Sequence, residues 1–101
     1  MIILTLTDIL DDLQIAESKL RKFERRYWIN STHFYKLYSQ GLLDDGSHLE
    51  DFSEWAGHYK LKLKRESALE TLSQQRVNKL KQLSKGGHIT LKPQEPMLEL
   101  S

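Results

Sequence analysis

Cysteine is absent from the chain, which excludes disulfides, thiolate-based metal sites and cysteine nucleophiles. A reducing compartment fits that absence. Proline is scarce: Pro93 and Pro96 are the only two, so nothing ahead of them carries the residue that most strongly breaks a helix. No apolar run approaches the roughly 20 residues needed to span a bilayer. The apolar start Met1-Ile2-Ile3-Leu4-Thr5-Leu6 lacks a basic flank and a cleavage site and is followed by Asp8, Asp11 and Asp12, so it does not read as a signal peptide. Together these absences predict a soluble, cytoplasmic protein with no membrane partner.

The motifs of catalysis are also missing. The sequence contains no Gly-rich phosphate loop, no nucleophile elbow and no Ser/His/Asp ordering. His33, His48, His58 and His88 are scattered, without the spacing that puts two ligands on one helical face, and read as solvated or structural histidines. The acids Asp44, Asp45, Glu50, Asp51 and Glu54 are dense, but they do not follow the alternating pattern of a calcium loop; Glu50 and Asp51 are explained by the favourable field at a helix N-terminus. Nothing predicts a buried pocket that would tune a carboxylate pair for acid–base work. The expectation is no enzyme, no metal and no cofactor.

What is present is helical periodicity. At 101 residues the chain is about one small domain with a thin core. Thr7-Asp8 is the expected N-cap of a first helix, in which Ile9, Leu13, Ala16, Leu20, Phe23 and Tyr27 recur at alternating steps of four and three, the spacing of a heptad seam. Such a stripe needs a partner surface, and in so thin a monomer that need predicts a homodimer. Asn30-Ser31-Thr32 then offers capping residues for a short second helix carrying Phe34, Leu37 and Tyr38, which Gly41 ends. After the turn around Asp45-Gly46, Ser47 with Glu50 forms a predicted capping box for a third helix.

From Ser47 to about Ser84 the only breaker is Gly57. Phe52, Ala56, Tyr59 and Leu63 step as in the first helix, and Leu69, Leu72, Leu80 and Leu83 resume on a shifted phase. The slip between Leu63 and Leu69 fits a stutter, a bend or a break; one helix of about 35 residues, roughly 50 Å at 1.5 Å per residue, is the preferred reading. Lys85-Gly86-Gly87 ends it. The predicted fold is all-α: a helical hairpin of an N-terminal, a short and a long helix over residues 1–85, followed by a C-terminal tail, 86–101, that is either disordered or an extended arm ordering on a partner.

Several residues are candidates for recognition. Phe52, Trp55 and Tyr59 share one side of the third helix, and read either as core against Phe23, Tyr27, Phe34 and Tyr38 or as an aromatic hot spot for a partner. In the tail, Ile89, Leu91, Met97, Leu98 and Leu100 supply apolar contacts that a purely solvating segment would not need. Ile89 to Leu91 suits addition as a strand to a partner's sheet edge, with docking back on the protein's own helices as the alternative. The net charge of +1 conceals segregation: residues 1–18 carry four acids and no Lys or Arg, residues 19–26 five bases and one acid, residues 44–54 five acids, and residues 60–65 are basic again. Arg21, Lys22, Arg25, Arg26, Lys60, Lys62, Lys64 and Arg65 are therefore candidate nucleic-acid contacts, with Tyr27, Trp28 and Tyr59 nearby for stacking, set against a plain solvated face. The acidic segments would repel the same phosphates, so any such binding is expected to be weak and salt-sensitive.

The run from Phe34 to Lys60, FYKLYSQGLLDDGSHLEDFSEWAGHYK, resembles a family of small prokaryotic helical antitoxin-like proteins. The shared elements are Glu24 to Tyr27, Ser31-Thr32, Phe34-Tyr35, Gly41-Leu42, Asp44-Asp45 and Glu54-Trp55-Ala56, and the likeness extends over about residues 7–70. Members are often encoded beside a small toxin-like gene. The resemblance implies an antitoxin that binds and neutralises a cognate toxin, commonly a ribonuclease, by protein–protein contacts. A nucleic-acid-associated helical protein and a helical scaffold subunit are the competing functions.

Overall fold

The computed structural model describes residues 4–43, 46–84 and 86–93. Three α-helices follow one another: α1, Leu6–Tyr27; α2, Ser31–Ser39; and α3, Leu49–Leu83, which is entered through a single 3₁₀ turn at Gly46–His48. Among the described residues there is no strand, so the architecture is the all-α hairpin that the periodicity predicts.

Each helix boundary has a local cause, and two differ from the sequence reading. Helix α1 starts two residues before Asp8: the Thr5 hydroxyl accepts the Asp8 N–H at 3.1 Å, while the Asp8 carboxylate accepts the Thr5 N–H at 3.1 Å. Asp8 is thus the N3 acid of a capping box rather than part of the cap. Helix α2 is capped by Asn30, whose side-chain oxygen accepts the His33 N–H at 2.8 Å. At α3 the expected Ser47–Glu50 box does not form. Ser47 lies inside the 3₁₀ turn, and the cap position falls to His48, which makes no side-chain cap bond. Glu50 and Asp51 in the first turn still place negative charge where the helix field favours it.

Helix α3 runs unbroken through residues 63–69. Its buried stripe of Phe52, Trp55, Ala56 and Tyr59 gives way to half-buried Arg65, Leu69 and Leu72. The contact line therefore moves around the helix instead of breaking it.

Two ion pairs fix how α1 and α3 lie together. Asp12 meets Arg65 and Arg26 meets Asp51, each at 2.7 Å; an advance along α1 is matched by an equal retreat along α3, so the helices are antiparallel and in register. Between these ties Ile9, Leu13, Ala16, Leu20 and Phe23 are all buried. The α1 seam is thus covered by α3 within one chain. This corrects the basis of the expected homodimer, because the apolar residues that called for a second copy already have their partner. Ala16 is completely buried, and its small side chain suits a close approach of the two helices. Continuing the register places the start of α1 level with about residue 71, so the last turns of α3 project roughly 18 Å beyond α1 at 1.5 Å per residue. The molecule is accordingly elongated, 61 × 31 × 24 Å.

Candidate interaction surfaces

The aromatic trio of α3 lies in the core. Phe52, Trp55 and Tyr59 are buried, Trp55 completely, because α2 folds over them. The Phe34 ring stacks on Trp55 with centroids 3.8 Å apart and planes 3° from parallel. Phe23 and Tyr27 of α1 stack on the same indole at 5.6 Å. Such contacts add about 0.5–1.5 kcal/mol per pair beyond the area buried. The trio is therefore not an open partner surface in this arrangement; of the two readings, the core one describes its position.

A polar link locks the same core. The Trp55 indole N–H donates to the Ser31 hydroxyl at 2.9 Å, and that hydroxyl donates to Glu24 Oε2 at 2.8 Å. The Ser31 backbone N–H reaches the same oxygen at 2.8 Å, while Arg21 donates to Oε1 at 2.7 Å. All three helices meet in this chain of bonds, and the buried indole donor is satisfied. Burial pushes the Glu24 carboxyl up, but the hydrogen bonds from Arg21 and Ser31 outweigh it and hold the group below its ordinary range.

A second polar cluster closes the loop end. Asp51 accepts from the Tyr27 hydroxyl at 2.6 Å and from Arg26 at 2.7 Å. The hydrogen bond from Tyr27, followed by that from Arg26, holds the Asp51 carboxyl below its ordinary value, and the bond to Asp51 raises the Tyr27 phenol. His48 lies beside this cluster, its Nδ1 3.4 Å from the Tyr27 hydroxyl, and His58 lies 3.6 Å from Glu54 one turn away on α3. Among the described residues no group of three or more potential ligands is placed to hold a metal ion.

Half of the eight basic candidates are paired or half-buried. Arg21, Arg26 and Arg65 are engaged with Glu24, Asp51 and Asp12, and Lys62 is half-buried. Lys60 and Lys64 are exposed and, one turn apart on α3, lie level with about residues 13–17 of α1, which offsets Lys60 from Lys22 by roughly 8 Å along the axis. Lys22 and Arg25 remain exposed on those last turns, with Lys22 Nζ 5.9 Å from the Phe23 ring centre.

At the other end of the hairpin the chain reverses. Gly86 and Gly87 have φ of +80° and +82°, a conformation glycine adopts without cost, and residues 88–93 return along the projecting end of α3. Arg76 donates to the Lys92 carbonyl at 3.4 Å. A groove of about 310 Å³ is lined by Arg76, Lys79, Leu80, Leu83, Thr90, Lys92 and Pro93. Up to Pro93, then, the tail does not stand away from the helices as an arm; it lies back on α3, because two left-handed glycines in succession turn it through a reversal. The cover is incomplete: Leu83 is 69% exposed, Leu91 72% and Ile89 47%. Met97, Leu98 and Leu100 lie outside the described residues.

Of the aromatic residues beside the basic stretches, one takes an unusual position. Trp28 ends α1 in the left-handed region, φ 59°, its N–H bonded to the Glu24 carbonyl at 2.9 Å, and it is 91% exposed. A side chain other than glycine costs about 1–3 kcal/mol in such a conformation, and this one returns no burial. The available signal was positional: an aromatic residue stands where a helix end favours glycine or asparagine.

No protein-family model matches the chain, and neither the curated proteins nor the solved structures provide a match. Among the described residues no helix is long and apolar enough to cross a membrane.

Proposed function

We propose that this chain is an antitoxin-like binding protein that neutralises a small cognate toxin, a ribonuclease in the leading reading, through protein–protein contacts made by the projecting end of α3 and its return segment. The observation that carries the proposal is the incomplete cover of that end. Leu83, Ile89 and Leu91 are exposed together with Val77, beyond the reach of α1. The groove between helix and return segment has an apolar floor in Leu80 and Leu83 and a cationic rim in Arg76, Lys79 and Lys92. A partner that buries this end would bring an apolar ridge flanked by carboxylates, matching a hydrophobic centre with a charged margin. The resemblance carried by residues 34–60 supports the antitoxin form of the reading, and the stacked core around Trp55 supplies the rigid base from which the projecting end is held.

The test is co-expression with the product of the adjacent gene. The wild-type chain should restore growth to cells expressing a toxic neighbour. Leu83→Asp and Leu91→Asp should each lose that rescue while keeping wild-type helicity and melting temperature, since neither side chain lies in the core. Undiminished rescue by both variants would move the binding surface elsewhere.

A further inference from the structure

We propose that Trp28, with Lys22 and Arg25, forms a platform for single-stranded nucleic acid, the indole stacking on an unpaired base and the two cations taking the flanking phosphates. This lies beyond the protein-binding reading and at the opposite end of the hairpin from the projecting turns of α3, so the two stand or fall separately.

Three observations carry it. The first is Trp28 itself, held at φ 59° and 91% exposed. The fold gains neither packing nor backbone ease from a tryptophan there, so the position calls for an explanation outside folding. The second is the disposition of charge. Among the described residues, the carboxylates of this end that lie toward α1 are engaged: Glu24 by Arg21 and Ser31, Asp51 by Tyr27 and Arg26. Glu50 and Glu54 are exposed on the side of α3 turned away from α1, opposite the buried Phe52, Trp55 and Tyr59. Lys19, Lys22 and Arg25 are exposed on α1, and among the described residues none of them makes an ion pair. Glu24 and Asp51 are taken up by the structure's own bonds, Glu50 and Glu54 lie on the side of α3 away from α1, and the cations face out.

The third observation is spacing. Arg25 stands about one turn before Trp28 and Lys22 about one turn before Arg25, so one strand running along the end of α1 can meet the ring and both cations. An exposed aromatic face beside a cationic track is the common chemistry of single-strand binding, in which stacking tolerates any base. A duplex keeps its bases stacked on one another and offers the ring no free face. A protein hot spot would instead surround the anchor with apolar cover, and here the neighbours are charged.

The experiment uses the intact chain and eight-nucleotide oligo(dT) and oligo(rU). Trp55 is completely buried, so a change in tryptophan emission on titration reports chiefly on Trp28. The expected result is quenching with micromolar affinity for one or both oligomers, weakening with salt at a slope of about 0.7 per phosphate contacted. Trp28→Gly should lower affinity by about 5- to 150-fold, the range for loss of one stacked base, while melting no lower than wild type because glycine relieves the left-handed backbone; Trp28→Phe should restore most of the binding. Arg25→Gln should reduce the salt slope by about 0.7. DNA alone, RNA alone or both binding in this Trp28-dependent way all support the platform, and identify the strand it takes. Equal affinity of wild type and Trp28→Gly, equal competition by duplex DNA, or Trp28-dependent binding to polyglutamate in place of the oligomers would overturn it, the last pointing to an acidic protein.

Discussion

Replacing Ser31 by alanine removes one hydroxyl from a residue that is 4% exposed and leaves the polar core broken in two places. The Trp55 indole N–H loses its acceptor in the interior, a desolvation cost of about 1–3 kcal/mol, and Glu24 loses one of its charge-assisted bonds. Glu24 keeps the Ser31 backbone N–H and Arg21, so its share is the smaller, and the total comes to roughly 2–3 kcal/mol. For a domain near 100 residues that corresponds to a fall in melting temperature of roughly 10–20 °C. Urea denaturation measures the free energy directly, and a double-mutant cycle locates it. Trp55→Phe also loses core contacts, but it removes the donor that Ser31→Ala would strand. The double variant should therefore be less destabilised than the two single effects added together. A Ser31→Ala cost below about 0.5 kcal/mol, the level of an ordinary surface change, together with strict additivity, would refute the claim that this hydrogen-bonded chain holds the three helices together.

Acid should destabilise the protein through Glu24 and Asp51. Both carboxyls are held below their ordinary values in the fold, so their contribution is complete above their unfolded pKa values, about 4.3 and 3.9, and is lost as pH falls through the lower folded values. Melting temperature followed downward from pH 6 should drop more steeply in wild type than in the Glu24→Gln, Asp51→Asn double variant, and equal slopes would contradict the assignment. Ala16→Leu should cost about 1–3 kcal/mol by overpacking the approach of α1 to α3, readable in the urea midpoint; a neutral outcome would mean that the helices stand further apart than this register implies.

The helices were legible in the sequence because their apolar spacing is a local property. Ile9 to Tyr27 marked the α1 stripe and Phe52 to Tyr59 the buried side of α3. The absence of proline favoured the single long helix. What the spacing did not contain was the partner of each stripe. The α1 seam reads the same whether α3 or a second chain covers it, and only the pairs Asp12–Arg65 and Arg26–Asp51 assign it to α3. The same limit applies to the Glu24–Ser31–Trp55 link, in which Ser31 and Trp55 are joined across 24 residues. Cap positions depended on details that composition does not carry: Thr5 outcompetes Thr7 because Asp8 answers it, and Ser47 is absorbed into a 3₁₀ turn. The course of residues 86–93 was open for a related reason, since two glycines permit either an uncoupled arm or a reversal, and contacts with Arg76 and the groove accompany the reversal.

The most direct test of the proposed function is amide hydrogen exchange on the chain alone and in complex with the neighbouring gene's product. Burial of the projecting end should slow exchange in residues 72–83, the part of α3 that α1 does not cover, and in residues 86–93, while exchange in residues 13–23 and 52–59, already protected by the shared core, changes little. New protection concentrated on the exposed side of α1, with residues 72–93 exchanging as in the free protein, would contradict the account.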